Sequence, residues 1–389
     1  MSVVRAIASG AVIVNDLTRR QLIWFDSQLT VHRVIADSTA STGRSYGGAT
    51  DGLLTYRGDS SLFVDPPSGS MVVLDGRGNV IRVMAAPPGA WYLTGGPFGT
   101  PGFDAKGRLI YRGFPAPAAR PVPQPGGLQL RFSSSSDSAP LIRLDLKTRQ
   151  RDTVAFVKVP VEQVSASTDA KGRMGPPKIT VNPLPVVDAW ALLPTGDVVI
   201  MRGADYHMER VSAERKTTVF RKIPHSWQRL DDAAKQQVVD SAQVEEEKVR
   251  EAIRRAAEAT PGVIPPNNPD TPNRPAGVLI TTLQGQNAGR NPEFIPSIIQ
   301  MIPAQQLPDY RPAFRLGAIR VDTDGNVWVR TTLPEKPGAI YDVVDSRTGE
   351  LLDRVAVPYG RTIAGFGKDV VYLGVLDEHG ARLERARIR

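Results

Sequence analysis

The sequence predicts an all-β chain folded as a six-bladed β-propeller with four-stranded antiparallel blades. Three observations carry that expectation. A phrase consisting of a tight Gly or Asp turn, a short apolar strand and an end residue recurs six times. Its end positions are Asn15, Asp65, Arg112, Arg202, Arg330 and Leu373, at intervals of 50, 47, 90, 128 and 43 residues, and three of these lie near the roughly 40–50 residues of a propeller blade. The 35 glycines and 33 prolines among 389 residues mark many turns between many short strands.

The phrase reads GAVIVN to Asn15, SLFVD to Asp65, GRLIYR to Arg112, GDVVIMR to Arg202, GNVWVR to Arg330 and DVVYL to Leu373. A further apolar run follows most copies, such as QLIWFD ending at Asp26 and SMVVLD ending at Asp75, and a fourth run leads out, such as HRVIA from His32 and VIRVM from Val80. The two long intervals hold insertions. The first contains a Pro-rich stretch, residues 114–127, and the serines Ser133 to Ser136, which read as loop.

The second long interval contains residues 225–312, a helical and Pro-rich insertion between blades four and five of a single 1–389 domain. Leu230, Ala234, Val238, Ala242, Val249, Ile253 and Ala256 recur at helical spacing from about Ser226 to Glu258. The prolines from Thr260 to Pro275 then exclude both helix and sheet interior. Blade six offers three runs only, while residue 1 already enters blade one. A closing strand, with an export signal before it, is therefore expected to be missing from this sequence.

The phrases DTDGNVWVR (Asp322 to Arg330) and FDAKGRLIYR (Phe103 to Arg112) resemble six-bladed propellers of the NHL and TolB-like kind, in particular exported bacterial propellers of uncharacterised role. The resemblance implies a periplasmic or extracellular location and leaves the function open, because such folds host binding modules, hydrolases and lyases alike. The Asp322 phrase also resembles the start of a calcium loop, but the match ends at Asn326 where a strand begins, so Asp-Gly is read as a hairpin turn.

Composition excludes several chemistries. With no cysteine there are no disulfides, zinc-thiolate sites or thiol nucleophiles, and no apolar run reaches the ~18–20 residues of a transmembrane segment. The net charge of +8 favours anionic partners, yet the basic residues are scattered and not interleaved with aromatics, so nucleic acid is not expected. The four histidines, His32, His207, His225 and His379, show no metal-ligand spacing. No nucleophile elbow, phosphate loop or His-Glu-x-x-His helix is present.

If the end positions of the second strands share one rim, Arg112, Arg202 and Arg330 can converge as forks for carboxylate, sulfate or phosphate. Connections into the inner strands add Arg44, Tyr46, Phe98, Asp188, Trp190, Tyr310, Arg311, Tyr359 and Arg361, and His207 lies just past the second strand of blade four. The residues expected at the ligand site are Asn15, Asp65, Arg112, Arg202, Arg330, Tyr310, Arg311, Arg361 and His207, with the 225–312 insertion as a lid. The first reading is a non-enzymatic propeller with no cofactor, binding an anionic small molecule, glycan or protein at an Arg-rich channel mouth. The alternative is a calcium-dependent hydrolase or lyase of the lactonase-like propeller type, with Asn15, Asp16, Asp65 and Asp188 as oxygen donors.

Overall fold

The computed structural model describes residues 3–388 apart from 18, 40–45, 48–51, 116–129, 134–135, 162, 167–177, 260–297, 335–337 and 378–379. Six antiparallel sheets form the blades. From inner to outer strand, blade one is Val3–Ala6, Val12–Asp16, Gln21–Phe25 and His32–Ala36, and blade two is Gly52–Thr55, Ser61–Asp65, Ser70–Leu74 and Val80–Ala85. Blade three is Gly102–Phe103, Leu109–Arg112, Ser138–Leu144 and Arg151–Lys158, and blade four is Ala189–Leu192, Val198–Arg202, His207–Val211 and Thr217–Lys222. Blade five is Phe314–Val321, Val327–Thr331, Gly338–Val344 and Leu351–Pro358. Blade six has three strands, Arg361–Gly367, Val370–Asp377 and Gly380–Arg387.

Each sheet buries both faces, because a blade is sandwiched between two others. Second strands are accordingly apolar on both sides, and their alternate residues feed alternate junctions. Val12 and Val14 pack towards blade six, whereas Ile13 packs towards blade two. Six buried clusters fill the six junctions in this way. The ring closes between blades six and one by packing of Val4, Val12 and Val14 against Ala364 and Tyr372.

Aspartates fasten the turns that the repeat phrase placed. Asp104 receives the amides of Lys106 and Arg108 at 3.0 and 2.9 Å, and Asp322 those of Asp324 and Asn326 at 3.0 and 2.8 Å. Asp322 also accepts the Trp328 indole N–H at 2.9 Å. The Asp322 phrase is thus a hairpin turn, and its carboxylate is consumed in holding it.

The insertions yield one element that the sequence reading did not contain. Leu130–Ser133, Gln163–Ala166, Lys178–Val181 and Ile298–Met301 form a seventh, accessory sheet, drawn from three separate breaks in the repeat. Its first strand lies in the interval read as loop, and Ser133 ends that strand. All three breaks leave and rejoin the blades on the rim where second strands end. The helix of the large insertion is Asp232–Ala259, capped by Asp231, which accepts the Ala234 amide at 2.8 Å. Val239, with Ala234 and Val238, packs on Leu184, Ala304 and Leu307 beside the accessory sheet, and Lys235 pairs with Asp309 at 2.7 Å. Its apolar face therefore meets the insertion's own sheet and not a blade. The Pro-rich residues 260–275, 116–127 of the first insertion, and Arg44 lie outside the described residues. No helix among the described residues is long and apolar enough to cross a membrane.

The connection from blade two to blade three takes an unexpected course. Leu93 and Thr94 lie against Gly52 of blade two, and Gly96 and Pro97 then lie against Gly317 of blade five, which stands opposite blade two in a ring of six. Thr100 next runs parallel to the inner strand of blade four, its amide donating to the Trp190 carbonyl at 3.1 Å. The connection therefore crosses the propeller axis. Two glycines permit the crossing: Gly99 has φ 95° with the Trp190 ring 2.2 Å from where a Cβ would stand, and Gly317 has φ 74° with the Gly96 carbonyl oxygen 2.8 Å from its own. Gly99→Ala is expected to cost at least about 2 kcal/mol, the sum of a strained φ and overpacking. Urea unfolding that shifts in midpoint at constant slope checks it.

Candidate functional site

The alternation of second strands decides which rim residues face one another. Asn15 lies two residues beyond Ile13 and faces blade two; Asp65 lies two beyond Phe63 and faces blade one. By the same count Arg112 and Arg202 face each other across the junction of blades three and four. Arg330 follows Trp328 into the junction of blades five and six, opposite Leu373. The rim is thus three wells, and the three arginines do not meet as a trio.

The first well is acidic. The Tyr46 hydroxyl donates to Asn15 Oδ1 at 2.6 Å, with both residues buried. Asp65 is 5% exposed, sits against Gly47, and its Oδ1 has no hydrogen-bond partner. Arg20 donates to the carbonyls of Tyr46 and Gly47 at 3.3 and 3.0 Å. Asp16 is fully buried and 3.8 Å from Arg19.

In the second well the Arg112 guanidinium packs against two rings that meet edge-to-face, 4.4 Å from the Tyr92 centroid and 4.7 Å from that of Phe98, the centroids themselves 4.9 Å apart, contacts favoured by the ring quadrupoles. Phe98 belongs to the crossing connection, and its carbonyl accepts the Trp190 indole N–H at 2.8 Å. Beside Arg112, Asp188 and Gly317 the connection leaves a cavity of about 10 Å³, room for one water-sized sphere. Arg202 is paired twice, to Asp188 at 2.7 Å and Glu209 at 2.6 Å. His207 continues the chain, with Nδ1 2.6 Å from Asp205 and Nε2 3.4 Å from Glu209, and Lys222 ends it 3.4 Å from Asp205. Acidic and basic side chains therefore alternate along the rim of blade four.

The remaining candidates stand apart from these wells. Tyr310 is half exposed and bridges to Arg229, and the Arg311 amide donates to the Gln228 carbonyl at 2.9 Å, so both belong to the return of the large insertion. Arg361 grips Glu384 with two hydrogen bonds, at 2.6 and 3.2 Å, and Tyr359 is exposed. Sequence reasoning missed Tyr92, Glu209 and Glu384, and with them the crossing connection. The signal for the crossing was the cluster of Gly95, Gly96, Gly99 and Gly102 with Pro97 and Pro101, where an inner strand was due. Among the described residues no group of three or more His, Asp or Glu is arranged to hold a metal ion.

No protein-family model matches the chain, and no curated protein sequence does. Solved structures similar to it include a catalytically inactive virginiamycin B lyase from Staphylococcus aureus with quinupristin, at 9% identity and TM-score 0.40, covering 100% of this chain and 94% of that one. A protein of unknown function from Bacteroides caccae is similar at 6% identity and TM-score 0.34, covering 97% and 89%. A gluconolactonase from Xanthomonas campestris follows at 11% identity and TM-score 0.25, covering 60% and 81%. At such distances the likeness concerns the fold, and lyases and lactonases are among the neighbours.

The blade-four chain makes stability depend on pH. The bond with His207 holds the Asp205 carboxyl below its usual value, and for Glu209 burial pushes upward but is outweighed by Arg202 and His207 together, so it too lies below its usual value. Both acids thus titrate lower when folded than when unfolded. Their stabilisation is complete above the ordinary carboxylate range, about pH 4, and is lost as the pH falls through the folded values. Arg202→Met is expected to cost about 3 kcal/mol at pH 7, because buried Asp188 loses its cation, and to flatten the acid limb. Urea midpoints between pH 3 and roughly pH 7 read both effects.

Proposed function

We propose that the chain is a non-enzymatic binding propeller that recognises an anionic ligand or protein on its rim, at the junction of blades three and four. The crossing connection carries this reading. It occupies the axis, and the cavity it leaves beside Arg112 and Asp188 is only about 10 Å³, too small at that place for the small-molecule chemistry of a channel pocket. What binds approaches the rim from outside. Arg112, 7% exposed and packed against Tyr92 and Phe98, is a fixed planar cation just below the rim with little conformational entropy to lose. The net charge of +8 supports the sign of the partner. Export to the periplasm or beyond is part of the proposal and rests on the resemblance of the repeat phrases.

A calcium-dependent hydrolase or lyase is the second reading, and buried Asp65, with an unpartnered oxygen beside Asn15, favours it. Against it, Asp188 lies in the other well and is committed to Arg202, so the four donors cannot form one coordination sphere. Thermal unfolding with added sulfate, phosphate or calcium separates the two. The expected outcome is stabilisation by the anions of about 2.7 kcal/mol at a hundredfold excess over Kd, abolished in Arg112→Met. Stabilisation by calcium alone, lost in Asp65→Asn, would transfer the function to the first well.

A further inference from the structure

We propose that the outer strand of blade two, Val80–Ala85, is a docking edge for an extended partner segment in which acidic and apolar residues alternate. The strand pairs with Ser70–Leu74 on one side, and its other edge presents backbone donors and acceptors. Its side chains are unusual for such an edge. Val80, Ile81 and Val83 are 59, 58 and 63% exposed, whereas every other outer strand among the described residues holds at most one large apolar side chain so exposed. Natural sheets blunt their edges with charge or proline; this one keeps an apolar edge open.

The two faces of the strand differ. Arg82 and Met84 stand opposite Val73 and Met71, which pack towards blade three, so they face that way. There they meet the turn Asp145 to Gln150 and enclose, with Leu146 and Arg149, a cleft of about 200 Å³. Both guanidinium groups lack an ion-pair or hydrogen-bond partner among the described residues. Below the roughly 300 Å³ of a small-molecule pocket, the cleft has the size for a carboxylate side chain between two arginine forks. On the opposite face Ile81 and Val83 offer an apolar strip.

A strand added to this edge sends alternate side chains to the two faces. The matching segment carries Asp or Glu towards the cleft and apolar residues towards Ile81 and Val83, with main-chain bonds supplying affinity and the cleft supplying selection. A second copy of this chain is the poorer occupant, since edge-to-edge pairing brings the two copies of Arg82 together on molecules of charge +8. Arg149 also occupies a costly conformation, φ 62°, at the place where the corresponding turn of blade five has Gly349 at φ 73°. The corresponding turns of blades one and four also place non-glycine residues there, Leu29 at φ 59° and Arg215 at φ 67°, so the conformation belongs to the turn, and Arg149→Gly removes the side chain without opposing the backbone.

The test uses the full chain, an acetylated peptide alternating Glu with Val or Ile, and its Lys-for-Glu counterpart. Binding of the acidic peptide is expected, with slowed amide exchange across Val80–Ala85 and a fall of at least about tenfold in affinity in Arg82→Glu and in Arg149→Gly. Arg149→Gly is expected to melt no lower than the parent, which separates lost contact from lost folding. Equal binding of the basic peptide, unaltered exchange at the strand, affinity indifferent to both substitutions, or a concentration-dependent dimer abolished by Ile81→Lys would each overturn the proposal. Failure of this edge leaves the Arg112 rim untouched, because the two sites share no residue.

Discussion

The structure depends on one packing constraint: every blade is a sheet with two buried faces, and the strand next to the axis-lining one must satisfy both. The six second strands meet it with runs such as Val12-Ile13-Val14 and Val198-Val199-Ile200, whose alternate residues enter opposite junctions. Burial of this kind contributes on the order of 1.5–3 kcal/mol per large side chain. A one-residue slip would exchange the contents of two junctions. The same register carries on to the rim, where it determines that Asn15 faces Asp65 and Arg112 faces Arg202.

Around that ring, the second constraint is the occupied axis. A connection that runs from Gly52 to Gly317 and back to Trp190 ties blades two, five and four together through backbone contacts which side chains larger than hydrogen would block. It also supplies Phe98, one of the two rings that hold Arg112. Stability and the proposed recognition are therefore joined in one segment. Much of the remaining charge on the rim is internally paired, as the chain from Asp188 through Arg202, Glu209 and His207 to Asp205 shows. Arginine count alone would overstate what the rim offers to a partner.

The repeat phrases made the six sheets legible because period-two apolar runs and Asp-Gly turns are local properties. The helix was legible for the same reason, although its partner was not: Val239 packs on Leu184 and Leu307, residues from distant parts of the chain. The accessory sheet escaped because its four strands come from three insertions, each short and without a pattern of its own. Of the candidate site, the positions were readable and their groupings were not. Arg202 and Asp188 were both readable as rim residues, whereas their pairing and the separation of Arg330 from Arg112 follow from a register that only neighbouring blades define.

By itself, then, the sequence determined what short-range chemistry dictates: the strands, the turns, the six-fold repetition, the absence of thiol and phosphate-loop chemistry, and the excess of positive charge. The tertiary structure decided what depends on which faces meet: the pairing of rim residues, the filling of the axis, and the cleft that Arg82 and Arg149 share. The physical reason is that a side chain's partners across a blade junction are set by packing against another sheet, and no spacing along one chain records it.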